Sequence, residues 1–435
     1  MNYYRNSFLF KDRKSNSMSF VVRIQWICFC IIGLNMLWPY FSETPISRFH
    51  SVACLCIFCT VMLNVVFGLD SHGSTKGNGT FYSAFITWSI LMILVFHYYH
   101  NVHKTIDFLF FRTDSYAIFF INVMTSVLPC MLMVDISKIK LGKTFKVIVL
   151  IVVIVTAFFA LRAIAINPNA LRERGRMERE EGEGILIGTP SYSNTYGYAL
   201  LLPAFLHRYR MASGKNRIYY MTVVLILSYI VLVAQFATAL IIAIVGILAY
   251  LYIISDHKKR TLIASVAIPF AIIFLFSNMA SDFLLWVAAN VEGVWSEKLK
   301  DIAMTLSAQS ATGSVAGRID YYTDSFNAFF ASPIFGMFNE VDGVKIGGHA
   351  VAIDVLGMSG IIGFIPFSIS VLGNYSRMRK YDSYERAKPA MIACVIQFVL
   401  LVFLKNIITS FGIFFAYYVL VPLLLKSEDK EIKKR

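Results

Sequence analysis

The sequence predicts an all-α, polytopic membrane protein of about twelve spans, and three observations carry the prediction. Apolar runs close to the length of a bilayer crossing recur from Phe20 to Leu425. Hydrophobic residues make up 57% of the chain and charged residues 15%, against about 45–50% and about 25% in soluble domains. Lysine and arginine gather in alternate connections between the runs, as expected where basic residues fix the side on which a loop stays.

In order, the spans are expected at 20–40, 51–69, 81–99, 115–134 and 145–165, then at a short, polar-flecked 191–205. Runs at 218–233, 237–254 and 262–276 follow, and the last three lie at 351–372, 390–404 and 410–425. The first run, starting near Ser19, is long enough to span and is expected to remain as the first helix. The N-terminal arm, Lys138–Lys143, Arg208–Arg217, Lys258–Arg260, Arg377–Lys388 and the Lys426–Arg435 tail are the basic connections. With about twelve spans they all fall on one side, which places both termini in the cytoplasm and two long loops outside.

This divides the chain into a bundle over 1–276 with an outer loop at 166–190, a large outer loop over 277–350, spans over 351–425 and a basic tail over 426–435. No internal repeat of the kind that builds many transporters is visible. The net charge of +14 is read as topology and contact with anionic lipid, not nucleic acid. All seven cysteines lie in apolar runs, so buried free thiols are expected, without disulfide or metal.

The first outer loop interleaves arginine with glutamate, as in Arg174–Glu178 and Arg176–Glu180, which suits a solvated helix. An arginine held among carboxylates still presents a fork that matches phosphate. The second outer loop is expected to begin with an interfacial helix over 281–306 bearing Trp286 and Trp295. A mobile Ser/Thr/Ala/Gly stretch over 307–317 leads to a second helix over 318–330. Ile319, Tyr322, Phe326, Phe329 and Phe330 fall on one face of that helix, Asp320 and Asp324 on the other.

No phosphate-cradling glycine loop of the nucleotide-binding kinds occurs, and no Asp-x-Asp pair that would hold a divalent metal on a nucleotide sugar. The chemistry that remains is a set of arginines and one histidine expected on the outer side. Arginine stays charged and bonds phosphate oxygens in pairs. Histidine accepts a proton from a hydroxyl near neutral pH. Together they suit a reaction in which a lipid-linked pyrophosphate leaves and a sugar hydroxyl replaces it, with no cofactor. Arg318 also suits an interfacial helix anchor, and His349 a surface histidine bonded to backbone. Asp354, one turn into the tenth span, is an intramembrane acid suited to pair with His349 or Arg318. Asp135 and Arg162 are read as interface markers at span ends. Asn194 with Tyr192, Tyr196 and Tyr198 suits either a wet cleft or a helix cap.

The stretch GSVAGRIDYYTDSFNAFFASPIFG, followed by GGHAVAIDVLGMSGIIG, resembles the C-terminal region of the Wzy-type O-antigen polymerases and O-antigen ligases. The carriers are Gly317–Arg318, Pro333–Gly336, His349 and Gly360–Gly363. Arg172 to Gly188 and His349 to Gly360 also match the Arg-x15-Gly and His-x10-Gly spacings of such polymerases. The chain departs from the pattern in having Ala350 after the histidine and QFAT, without arginine, at Gln235–Thr238.

The resemblance implies a GT-C-like, metal-independent glycosyltransferase of the bacterial inner membrane, with its active site on the periplasmic side. It would lengthen undecaprenyl-pyrophosphate-linked repeat units into O-antigen or capsular polysaccharide. Implied roles are a catalytic pair, His349 and Arg318, and substrate contacts at Arg172, Arg176, Lys345, Asp320, Tyr321, Tyr322 and Asp354. A flippase and a chain-length regulator are the implied partners. An O-antigen ligase, moving the glycan to a lipid A core, and a lipid or glycan transporter are the competing readings.

Overall fold

A computed structural model describes residues 20–42, 45, 49–66, 78–102, 113–136, 143–167, 170–171, 188–256, 279–290, 296–297, 299–300, 303–304, 313–336, 346–379, 386–408 and 410–426. Among them there is helix and no strand. Six helices are long and apolar enough to cross a membrane, and four apolar ones are shorter.

The elements are α1 (Phe20–Leu37), α2 (Phe49–Val66) and α3 (Gly79–Val102). Helix α4 starts as Thr113–Asn122, passes through a π-helical turn at Val123–Val127 and continues as Leu128–Ile136. Then come α5 (Lys143–Ile166), α6 (Tyr192–Met211), α7 (Gly214–Val233) and α8 (Ala237–Ile254). Two helices of the second long connection follow, α9 (Met279–Ala289) and α10 (Gly313–Ala331). The last are α11 (Val351–Arg379), α12 (Lys388–Leu404) and α13, which runs Phe411–Phe415, Ala416–Leu420 as a π turn, and Val421–Leu425. Each predicted span but one coincides with helix; the one expected at 262–276 lies outside the described residues.

Helix α6 is the least apolar of the predicted spans and stands at the centre, packed on α7, α8, α12 and α13. Polar groups at both of its ends find partners inside the bundle, as a helix without water requires. Ser191 and Asn194 form a reciprocal capping box at its start. Asn194 Nδ2 donates to Met36 O at 3.2 Å, and the Tyr198 hydroxyl donates to Leu37 O. At its other end Arg208 donates to Leu424 O and Lys426 O. The tyrosine cluster therefore packs and caps, and the cap reading of Asn194 holds.

Helix ends that span parity assigns to one side also meet in space. Tyr40 stacks on Phe159 at 5.1 Å, and Val351 N donates to Lys405 O at 3.2 Å. At the opposite ends Lys426 Nζ donates to Val134 O at 3.3 Å and Lys146 to Asn216 at 3.4 Å. There Arg377 Nε lies 3.5 Å from Asp135 Oδ2, with the two side chains 0% and 4% exposed. The Tyr82 hydroxyl donates to the same carboxylate, and Arg377 donates to Tyr418 O at 2.8 Å. Asp135, expected to mark an interface, is instead a buried ion-pair partner. Arg377, expected in a basic loop, lies inside the longer helix α11.

All seven cysteines are free thiols, and Cys59 departs from expectation by being exposed on α2. Helix α9 replaces part of the long interfacial helix expected over 281–306; its Trp286 is 64% exposed, while Trp295 lies outside the described residues.

Candidate functional site

Helix α10 begins at Gly313, inside the stretch expected to be mobile. It packs along the first half of α11, and the two chains run the same way. Tyr321 O is next to Gly347, Ser325 meets Asp354, Ala328 meets Gly357, and Pro333 O accepts from Ile361 N at 2.9 Å. Ile361 is ten residues into α11, about 15 Å along its axis at about 1.5 Å per residue. Helix α10 therefore runs alongside the first half of α11 and does not lie across its start.

Ser325, Ala328 and Ser332 form the buried face of α10, and Phe326 and Phe330 are exposed, Phe330 by 70%. Helices in lipid pack through small side chains that let backbones approach, while hydrocarbon accepts the large ones. On the face of large apolar residues read from the sequence, Phe326 and Phe330 turn outward. A third stripe carries Asp320, Thr323 and Asn327, which are exposed, and Asp324, which is half-buried.

Two motif pieces separated in sequence lock together at the foot of α10. Gly360 breaks α11 with φ 57° and ψ −158°. The break would strand two N–H groups, but Ile361 N and Ile362 N donate to Pro333 O and Ile334 O at 2.9 and 3.3 Å. Gly336, at φ 59°, closes the turn against the backbone of Met358 and Ser359, where a Cβ would lie 2.5 Å from both.

At the head of α10 the arrangement is polar. Ser325 Oγ donates to Asp354 Oδ1 at 2.7 Å and accepts from Gly347 N at 2.9 Å. Asp354 is 1% exposed, so it acts on this site through Ser325 and the Gly347 backbone. The partner found for it is thus Ser325, where His349 or Arg318 was expected. A Cβ on Gly347 would fall 1.9 Å from Tyr321 O, so only glycine lets the two backbones touch. Asn406 Nδ2 donates to Gly348 O at 2.8 Å and fixes the other side of the turn. Gly348 itself takes φ 67°.

Held this way, His349 is half-buried beside two aromatic rings of α10. Tyr321 stacks on it with centroids 5.7 Å apart and planes at 26°, and Tyr322 lies at 5.9 Å and 53°. Arg318 stands in α10 one turn before both tyrosines; its side chain is outside the described residues. Asp320 is exposed beside them. The structure thus brings together His349, Tyr321 and Tyr322, with the helical position of Arg318 and, through Ser325, Asp354. Arg172, Arg176 and Lys345 lie outside the described residues.

Sequence reasoning missed Ser325, Asn406 and Gly357. The first two are ordinary polar residues whose partners lie 22 and 58 positions away. Only Gly357 had a local signal, a glycine one turn before Gly360. A comparison with protein-family models matches none of them to this chain, and no curated protein is detectably similar to it in sequence.

Proposed function

We propose that this protein is a membrane glycosyltransferase that joins lipid-pyrophosphate-linked oligosaccharide repeat units, working at the periplasmic face of a bacterial inner membrane. The observation that carries the reading is His349 set against the Tyr321 and Tyr322 rings at the mouth of α11, held by Gly347, Ser325 and Asn406, with Arg318 one helical turn before the tyrosines. In this reading α10 fills part of a periplasmic segment between the ninth and tenth of twelve spans, and both termini are cytoplasmic.

His349 takes the proton of the acceptor sugar hydroxyl, and the oxygen attacks the anomeric carbon of the donor glycan. The bond from that carbon to the pyrophosphate oxygen breaks, and the lipid diphosphate leaves with the electron pair. Arg318 meets the charge that develops on it, a forked donor suited to phosphate oxygens. The proton on His349 then passes to the diphosphate or to water. Tyr321 and Tyr322 hold the imidazole in its plane and offer ring faces to sugar. Arg172, Arg176 and Lys345 are assigned here as further anion contacts, and Asp320 as a hydroxyl acceptor. No cofactor enters this scheme.

A helix broken at Gly360 is a feature that discontinuous transporter helices share, where the freed ends meet substrate. Here Pro333 and Ile334 take both freed N–H groups, which favours chemistry over transport. The test is purified protein given a defined lipid-linked repeat unit. Longer glycans on lipid are expected, and these should be lost in Arg318→Ala and His349→Ala. Transfer only to a lipid A core would replace the polymerase reading by a ligase one. An unaltered glycan, or an undiminished product ladder from both variants, would overturn the site.

A further inference from the structure

The end of the bundle opposite His349 gathers cations around tyrosine. Lys146, near the start of α5, reaches across to α7. Its Nζ donates to Asn216 Oδ1 at 3.4 Å and lies 5.8 Å from the centre of the Tyr220 ring. Arg217 stands 4.9 Å over the Tyr209 ring and donates to the Tyr209 hydroxyl at 3.2 Å. Arg210 and Lys215, on either side of the short α6–α7 turn, are exposed, as Arg217 is. Among the described residues none of these four cations is ion-paired. The groups that Lys146 and Arg217 touch are an amide, a phenol and ring faces, which leave their charge uncompensated. Guanidinium and ammonium groups meet phosphate oxygens, and tyrosine sits well where hydrocarbon gives way to water.

An apolar cleft begins one helical turn from these cations. Val149 and Val153 wall it on α5, three and seven residues after Lys146 and so on the same helical face. Val223 and Leu227 wall it on α7 at the same spacing after Tyr220. Its lining runs from Phe145 to Val153 on α5 and from Phe29 to Leu37 on α1, about 12 Å on each at about 1.5 Å per residue. At the far end the Tyr198 hydroxyl donates to Leu37 O, and beyond it Tyr40 stacks on Phe159. The cleft is open in part, and its walls are apolar. A hydrocarbon core is about 30 Å thick, so one leaflet is about 15 Å deep. The cleft thus has about the depth of a single leaflet, with the unpaired cations where a headgroup of that leaflet lies.

We infer that this end of the bundle is a binding site for an anionic phospholipid of the surrounding bilayer. Its phosphate lies against Lys146 and Arg217, and one acyl chain enters the cleft walled by α1, α5 and α7. A zwitterionic lipid brings no net charge to the cations, so charge selects the headgroup and depth selects a chain of ordinary length. The site is separate from His349 and does not depend on glycosyl transfer.

The experiment uses the full chain in phosphatidylcholine nanodiscs with a small fraction of phosphatidylglycerol that carries a diazirine near the end of one acyl chain. After irradiation, mass spectrometry should place the label on cleft residues such as Leu37, Val153 or Leu227. The same diazirine on phosphatidylcholine, at the same fraction, should mark lipid-facing residues such as Leu55 and Leu225 instead. Lys146→Gln with Arg217→Gln should raise the phosphatidylglycerol fraction needed for half-labelling of the cleft by about 30-fold, the effect of two cations on an anionic lipid. Arg379→Gln with Arg386→Gln removes the same charge from exposed positions on other elements and should leave that fraction unchanged. Equal cleft labelling by the two lipids, an equal loss in both double variants, or label confined to lipid-facing residues would overturn the assignment. So would clearance of the cleft by excess polyprenyl diphosphate but not by excess unlabelled phosphatidylglycerol. The wild-type comparison of the two lipids decides alone if a variant fails to fold.

Discussion

Gly347→Ala tests whether the register of α10 against His349 sets the rate of the proposed glycosyl transfer. The added methyl would sit 1.9 Å from Tyr321 O, where real contacts do not fall below 3.0 Å. The difference, 3.0 − 1.9, is 1.1 Å, and the atom in the way is backbone, so the helix and the turn must separate by about that distance. Ser325, which receives Gly347 N, and Tyr321, which stacks on His349, move with it. A misplacement of about 1 Å at a catalytic group costs about 100-fold, or about 2.7 kcal/mol of barrier. The assay is the initial rate of glycan lengthening on a defined lipid-linked unit, measured beside the thermal midpoint of the same preparation. Gly79→Ala is the control, because a Cβ there meets nothing within 4 Å. Expected is a loss of about 100-fold in kcat for Gly347→Ala, a smaller change in KM, and wild-type rate for Gly79→Ala. A Gly347→Ala enzyme with wild-type kcat would refute the claim that this close approach positions the histidine.

Three more outcomes follow from the packing. Ser325→Ala leaves the buried Asp354 carboxylate and Gly347 N without the hydroxyl that joins them, so the folded state should lose about 1–3 kcal/mol, read as a lowered thermal midpoint in detergent. Asp135→Ala strands the buried Arg377 and should cost about 3–5 kcal/mol, whereas the Asp135→Leu, Arg377→Met double variant should recover most of it; the monodisperse yield of both checks this. If α10 descends beside a span, a spin label at Phe330→Cys should be relaxed by oxygen and one at Asn327→Cys by a water-soluble nickel chelate. Equal access of the chelate to both would place α10 outside the bilayer.

The helices were legible in the sequence because the length and hydropathy of a run are local properties, and a bilayer leaves backbone little choice but helix. The grouping of Arg318, Pro333, Gly336, His349 and Gly360 could be read as well, since the unusual residues stand within one stretch. Tertiary structure decided how those pieces meet. It put the least apolar span, α6, at the centre, because its polar groups find partners on α1 and α13. It buried Asp135 against Arg377, residues far apart in the chain that parity had only placed on the same side. It turned α10 so that serine and alanine pack while Phe326 and Phe330 face outward. Hydrophobic periodicity could not foresee that turn, since it finds an apolar face without showing which face the neighbouring helix takes.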